Sequence, residues 1–153
     1  DAGVDLEVAP GCPNLIERIE AGLLSYGNEM TRENNPLEIN LDRFCHLDGE
    51  IEYIGRSALE KISAEGPNQR MRGLLIEGER CPPCAKPWPV LADGIKVGQV
   101  TSAIWSPAFG KNVGLSMILR SHWTAGTSVK VAMPGEVVSD AVISALPFDN
   151  ERG

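Results

Sequence analysis

Pro89-Val90-Leu91-Ala92-Asp93-Gly94-Ile95-Lys96-Val97-Gly98-Gln99-Val100 reads as two short β-prone runs joined by two residues. Asp93-Gly94 suits a type I′ hairpin turn, which needs positive φ at both central positions. Outward from this hairpin the same rhythm recurs. Met71 to Ile76, Pro89 to Ala92, Lys96 to Trp105, Val113 to Leu119, Thr127 to Met133 and Val137 to Leu146 are apolar runs. Turn residues separate them at roughly eight- to twelve-residue intervals, and Pro134-Gly135 divides the last two. Six short strands with no long helix among them predict a small antiparallel barrel or sandwich.

Upstream of Arg70 the pattern is different. Leu15, Ile16, Ile19 and Leu23 fall at helical spacing, predicting a helix from about Asn14, its N-cap candidate, with Glu17 and Arg18 in water and Gly22 or Gly27 as its end. Glu20 lies beside the buried face, where a carboxylate must find a partner. Residues 1 to 8 read as the tail of an element, and Ala9 to Pro13 as a turn. The polar run from Asn28 to Asn35 reads as an exposed loop, and Leu37 to Leu47 as a short buried segment. Ser57 to Glu65 predicts an amphipathic helix with Leu59 and Ile62 inward and Gly66 as its stop. A domain boundary is expected near Gly66, dividing residues 1–66 from residues 67–153.

With 153 residues and 42% hydrophobic content the chain can bury a sizeable core. Its net charge of -7 lacks the cationic surface on which nucleic-acid binding depends, so nucleic acid and anionic membranes are not expected partners. No apolar run has the roughly 18 residues of a spanning helix, and no signal-peptide pattern opens the chain. The cytoplasm is the expected compartment. The opening Asp-Ala-Gly-Val reads as the interior of a longer protein. Cys12, Cys45, Cys81 and Cys84 are too few and scattered for a disulfide scaffold, which favours reduced thiols.

Two series of residues resemble a known family. One is Arg18-Ile19-Glu20-Ala21-Gly22 followed by Leu24-Ser25-Tyr26-Gly27-Asn28. The other is Pro89-Val90, Asp93-Gly94, Gly98-Gln99-Val100-Thr101-Ser102, Ser106-Pro107 and Gly110-Lys111-Asn112-Val113. In order and spacing both resemble the aminomethyltransferase family, whose type member is the T-protein of the glycine cleavage system. Gly11-Cys12-Pro13-Asn14 leading into Ile16 to Glu20, with Leu41-Asp42-Arg43 later, is more similar to the dimethylsulfoniopropionate demethylase branch. Asn14-Leu15 stands where glycine-cleavage members usually carry an Arg-Asp pair, and their arginine near Asp48-Gly49 has no counterpart.

The resemblance implies an α+β fold: the tail of a folate-binding α/β domain in 1–66, then a six-stranded antiparallel β-barrel domain in 67–153. It implies a one-carbon transferase using tetrahydrofolate, a small-molecule methyl donor, and a further N-terminal folate-binding domain. A lipoyl carrier protein enters only if the aminomethyl reaction applies. The family's catalytic aspartate lies early in the N-terminal half, so no catalytic residue is assigned here. A third branch binds folate without transferase activity, but its Lys-Gly-Cys-Tyr-x-Gly-Gln-Glu type motif does not occur in this sequence.

Glu20 and Tyr26 are the cofactor-binding candidates. The pterin presents an amino group and an adjacent ring N–H as parallel donors, which suit an ionised carboxylate; the plainer reading pairs Glu20 with Arg18 or a neighbour. Tyr26 either walls the pterin or is a core aromatic with its hydroxyl at the surface. Cys81-Pro-Pro-Cys84 has the spacing of half a zinc site, yet without a second pair it reads as a surface loop with incidental thiols, and no metal ligand is assigned. His46 and His122 stand without a nucleophile signature, Lys111 reaches either folate carboxylates or water, and Trp88, Trp105 and Trp123 read as core or interface residues.

Overall fold

The computed structural model describes residues 14–148. The element expected over 1–8, the turn expected over Ala9 to Pro13, and Cys12 lie outside those residues. Helix α1 (Leu15–Glu20) comes first, then a 3-10 turn (Asp42–Phe44) and helix α2 (Arg56–Glu65). Strands β1 (Gln69–Ile76), β2 (Trp88–Ala92), β3 (Ile95–Ser106), β4 (Lys111–Leu119), β5 (Ser128–Met133) and β6 (Val137–Ser144) follow. They form a closed antiparallel barrel in the order β1-β4-β3-β2-β5-β6, with β6 returning to β1. Closure pairs every strand on both sides, so none presents an open edge. No helix among the described residues is long and apolar enough to cross a membrane.

The hairpin that organises the sequence forms as expected: Ala92 pairs with Ile95, and Asp93 and Gly94 both have positive φ. The β5–β6 turn carries positive φ at Gly135 and Glu136. Gly73 in β1 is needed for close approach, since a Cβ there would run into the Phe148 ring. Two clusters follow from side chains alternating across the sheet. Leu74, Ile76, Val100, Ile118, Val131 and Ile143 belong to the cluster that fills the barrel. Met71, Leu75, Val113, Leu115 and Met117, on the alternate positions of β1 and β4, pack outward against Ile19, Ile39, Phe109 and Phe148. Residues upstream of the barrel therefore supply part of its outer packing.

That outer packing revises the reading of the first helix. Asn14 is its N-cap, with Oδ1 accepting from the Ile16 N–H at 3.0 Å, but the helix ends at Glu20 before Gly22. Of the expected buried face only Ile19 is fully buried; Leu15 and Leu23 are exposed. Leu23 lies beyond the helix end, so helical periodicity no longer governs where it points. The loop from Asn28 to Asn35 is not exposed throughout, because Glu29 is buried. In α2, Leu59 and Ile62 are half-buried and no residue is fully buried. Arg120 holds that helix's end instead, donating from Nη2 to the Glu65 carbonyl and from Nε to the Pro67 carbonyl, each at 2.9 Å.

Candidate functional site

A six-residue helix has little stability of its own in water, so α1 depends on what holds it to the barrel. Ile19 supplies the apolar anchor, worth about 1.5 to 3 kcal/mol for a fully buried aliphatic side chain. Two serines of β3 supply polar ones. Ser102 and Ser106 lie four residues apart and share a face of the strand. Ser106 Oγ donates to Glu20 Oε1 and accepts from the Phe109 N–H at 3.1 Å. Ser102 Oγ donates to Glu29 Oε1 and accepts from Arg18 Nη2 at 2.8 Å. Each hydroxyl receives one donor and gives its single proton to a carboxylate.

Glu29 is the centre of the second anchor. Its Oε2 accepts from Arg18 Nη1 at 2.9 Å and from the Ser25 N–H at 2.7 Å. The side chain is 0% exposed and that of Arg18 15%. Thr101 Oγ1 lies 3.3 Å from Glu29 Oε1 and 3.0 Å from the Leu115 carbonyl, and its one proton serves one of them. A buried carboxylate without such partners would cost several kcal/mol; here both oxygens are satisfied. Arg18 also donates to the Leu23 carbonyl at 2.9 Å, closing the chain after α1. The arginine expected in water is thus committed to Glu29, which leaves Glu20 to Ser106.

The sequence candidates are therefore placed differently. Glu20, half-buried at the end of α1, faces the barrel through Ser106. Tyr26 is 67% exposed in the following turn, so it is not a core aromatic. Between the Asn28–Asn34 loop and strands β3 and β4 runs a groove of about 450 Å³, lined in part by Asn28, Glu33, Lys96, Gln99 and Met117. Glu29 and Ser102 escaped sequence reading as site residues: Glu29 sits in a polar run that carries no sign of burial. Ser106 stands in the Ser106-Pro107 pair that resembles the family, but nothing local ties it to a residue 86 positions away.

The remaining candidates find structural roles. Cys81 and Cys84 pack against the barrel core in the loop between β1 and β2. Asn112, fully buried, pins that loop by accepting from the Cys81 N–H and donating to the Glu79 carbonyl, each at 2.9 Å. Burial pushes the Cys84 thiol up to about 11, and the nearby Cys81 and Glu29 charges act in the same direction. Burial also raises Cys81. Such thiols hold little thiolate at neutral pH and make poor nucleophiles. Among the described residues, no group of three or more His, Cys, Asp and Glu converges as a metal site. Lys111 pairs with Glu77 at 2.7 Å with both side chains near half exposure. Trp88 is core, while Arg70, Arg72 and Arg120 surround the half-buried Trp123 ring.

Known proteins resemble this chain in sequence and in fold. Residues 69–149 match the model of the glycine cleavage T-protein C-terminal barrel domain. The dimethylsulfoniopropionate demethylase of Ruegeria pomeroyi is 55% identical over 133 residues, covering 87% of this chain and 36% of that protein. The aminomethyltransferase of Synechococcus sp. strain CC9902 is 36% identical over 131 residues, 86% of this chain and 35% of its own length. The crystal structure of glycine cleavage system aminomethyltransferase T from Bartonella henselae superposes with a TM-score of 0.70 at 22% identity, over 88% of this chain and 37% of that one. The chain thus spans about a third of the length of the curated relatives it matches. The barrel and the segment latched to it place this chain in the glycine cleavage T-protein, or aminomethyltransferase, family.

Proposed function

We propose that this chain is the C-terminal portion of a tetrahydrofolate-dependent one-carbon transferase, and that the group moved is a methyl from a sulfonium donor resembling dimethylsulfoniopropionate. Residues 1–66 would complete a folate-binding domain whose larger part precedes them, residues 67–153 would form the adjoining barrel domain, and the cytoplasm would be the compartment. The observation that carries this reading is the gap in similarity. Over nearly the same stretch the chain is 55% identical to a dimethylsulfoniopropionate demethylase and 36% identical to an aminomethyltransferase.

The residues present suit the cofactor. A carboxylate offers about four lone-pair positions, and Ser106 takes one at Glu20 Oε1. Both oxygens can still accept, one each, from the paired donors of a pterin edge. The two-thirds exposed ring of Tyr26 is free to pack against a flat ligand. Glu20 and Tyr26 would hold tetrahydrofolate, which would supply N5 as the acceptor of the methyl group; the sulfonium sulfur would keep the electron pair of the broken carbon–sulfur bond as a thioether, and the N5 proton would leave to solvent. Glu20 and Tyr26 contribute binding and orientation, the terms that matter most when the donor is already activated.

Assay of the intact protein with tetrahydrofolate separates the donors. Dimethylsulfoniopropionate should yield 5-methyltetrahydrofolate; turnover of aminomethyl-lipoyl carrier protein alone would transfer the assignment to glycine cleavage. Replacing Glu20 with Gln in the intact protein should cost about 1.5 to 3 kcal/mol of folate binding, the scale of a hydrogen bond to a charged group. An unchanged dissociation constant would remove Glu20 from the site. The 153-residue chain alone should show no transferase turnover and only weak calorimetric binding, and tight binding would contradict the need for a preceding domain.

A further inference from the structure

We propose that Ser106 is a positioning residue for Glu20, so that the barrel orients the carboxylate on which cofactor recognition depends. The inference rests on the folate reading above and adds to it a residue from the other half of the chain. Its starting point is a local conflict. Glu20 is the last residue of α1, where the helix presents unpaired carbonyls and the negative end of its dipole. An acidic side chain is disfavoured there, and local rules are broken most often where function requires it.

Three features make Ser106 suited to the task. It is fully buried, so water does not compete for its hydroxyl. The Phe109 N–H donates to Ser106 Oγ at 3.1 Å, which turns the hydroxyl proton away from that side and toward Glu20 Oε1. Phe109 is itself buried and packs on Phe148 with ring centroids 5.6 Å apart, fixing the donor that orients the serine. The chain from Phe148 through Phe109 and Ser106 to Glu20 therefore runs from packed core to the candidate site through three buried residues.

The chemical consequence is preorganisation. A free glutamate has several rotamers to lose when it meets a ligand; one already held by a buried hydroxyl has fewer, and affinity gains what the ordering would have cost. Ser102 treats Glu29 alike, but the Glu29 side chain is 0% exposed, with Ser102 on one oxygen and Arg18 and the Ser25 N–H on the other, and is a structural tie. Glu20 is half-buried with both oxygens able to accept a further donor, and that separates the two.

The test is a double-mutant cycle in the intact protein, reading the tetrahydrofolate dissociation constant and, separately, the urea midpoint. Ser106→Ala should weaken binding about tenfold, the effect of one lost hydrogen bond to a charged group. In the Glu20→Gln background the same change should have little further effect on the dissociation constant, because the group it positions is already altered. Ser106→Thr, which keeps the hydroxyl, should restore most of the affinity. Unchanged binding in Ser106→Ala, or losses that simply add in the double variant, would overturn the positioning role while leaving the folate reading intact if Glu20→Gln alone still weakens binding. Unchanged binding in Glu20→Gln would overturn both.

Discussion

Strand β5 alternates over its first four residues: Val129 and Val131 are buried while Ser128 and Lys130 are exposed, and in its neighbour β6 Val138 is 55% exposed. Across the barrel, β4 is buried without interruption from Asn112 to Ile118. Both strands have an inner face turned to the same core. The difference is on the outside, where Ile19 and Ile39 cover β4 with residues from before the barrel, and β5 meets solvent. A strand's burial pattern here reports what lies behind the sheet as well as what lies within it. The covered wall is also where the two β3 serines reach the carboxylates, so packing and candidate site share one side of the molecule.

The largest effect is expected from removing the cover. A chain starting at Pro67 would strip Ile19 and Ile39 from the surface formed by Met71, Leu75, Val113, Leu115 and Met117, leaving only Phe109 and Phe148 to cover it and exposing apolar area to water. Such a chain should lose cooperative unfolding as a monomer and associate, as read by size-exclusion chromatography and urea titration. A soluble monomer with the urea midpoint of the 153-residue chain would show that the outer wall does not depend on its cover.

Next is the polar tie between the cover and the wall. Glu29→Ala removes one partner of a buried ion pair and leaves Arg18 and the Ser102 hydroxyl without their acceptor. The expected loss is about 3 to 5 kcal/mol in urea unfolding. A loss below about 1 kcal/mol, the range of surface pairs, would mean that apolar contacts alone hold the two regions together.

The same contrast explains how much of the molecule the sequence discloses. The six strands, the Asp93-Gly94 turn, the Gly66 stop and the Asn14 cap are local matters, set by residues within a few positions of one another, and each occurs as expected. Burial upstream of the barrel is not local. Leu23 has the right spacing yet is exposed because α1 ends at Glu20, and Glu29 lies in a polar run yet is buried because β3 offers Ser102 and Thr101 from more than 70 positions away. Glu20 stands out in the sequence through its resemblance to a family motif and its place beside the buried face of the helix, and the structure gives it a partner in Ser106. Its Ser106 partner was visible only as another part of that resemblance, with no sign that the two would meet.

A smaller effect is expected at the start of the cover. Asn14→Ala removes the side-chain acceptor of the Ile16 N–H at the start of α1. The cost should be about 1 kcal/mol, the usual worth of an N-cap. If the helix is held mainly by Ile19 and the β3 serines, Asn14→Ala should lower the urea midpoint modestly and leave the affinity of the intact protein for tetrahydrofolate unchanged. A loss of affinity matching that of Ser106→Ala would mean that the position of Glu20 is set from the helix's beginning rather than from the barrel.

The least effect belongs to the uncovered wall. Lys130 and Asp140 form a 2.6 Å ion pair across β5 and β6, a shorter contact than the Arg18–Glu29 pair at 2.9 Å, yet both side chains are mostly exposed. Distance alone would rank Lys130 above Arg18. Solvent reverses the order, because water screens the exposed pair and already solvates each partner when the other is removed. Lys130→Ala should therefore change stability by at most about 0.5 kcal/mol, and raising the salt concentration should reduce even that. A loss comparable to that of Glu29→Ala would show that contact length rather than burial governs these pairs, and would remove the reason for treating the two walls as different.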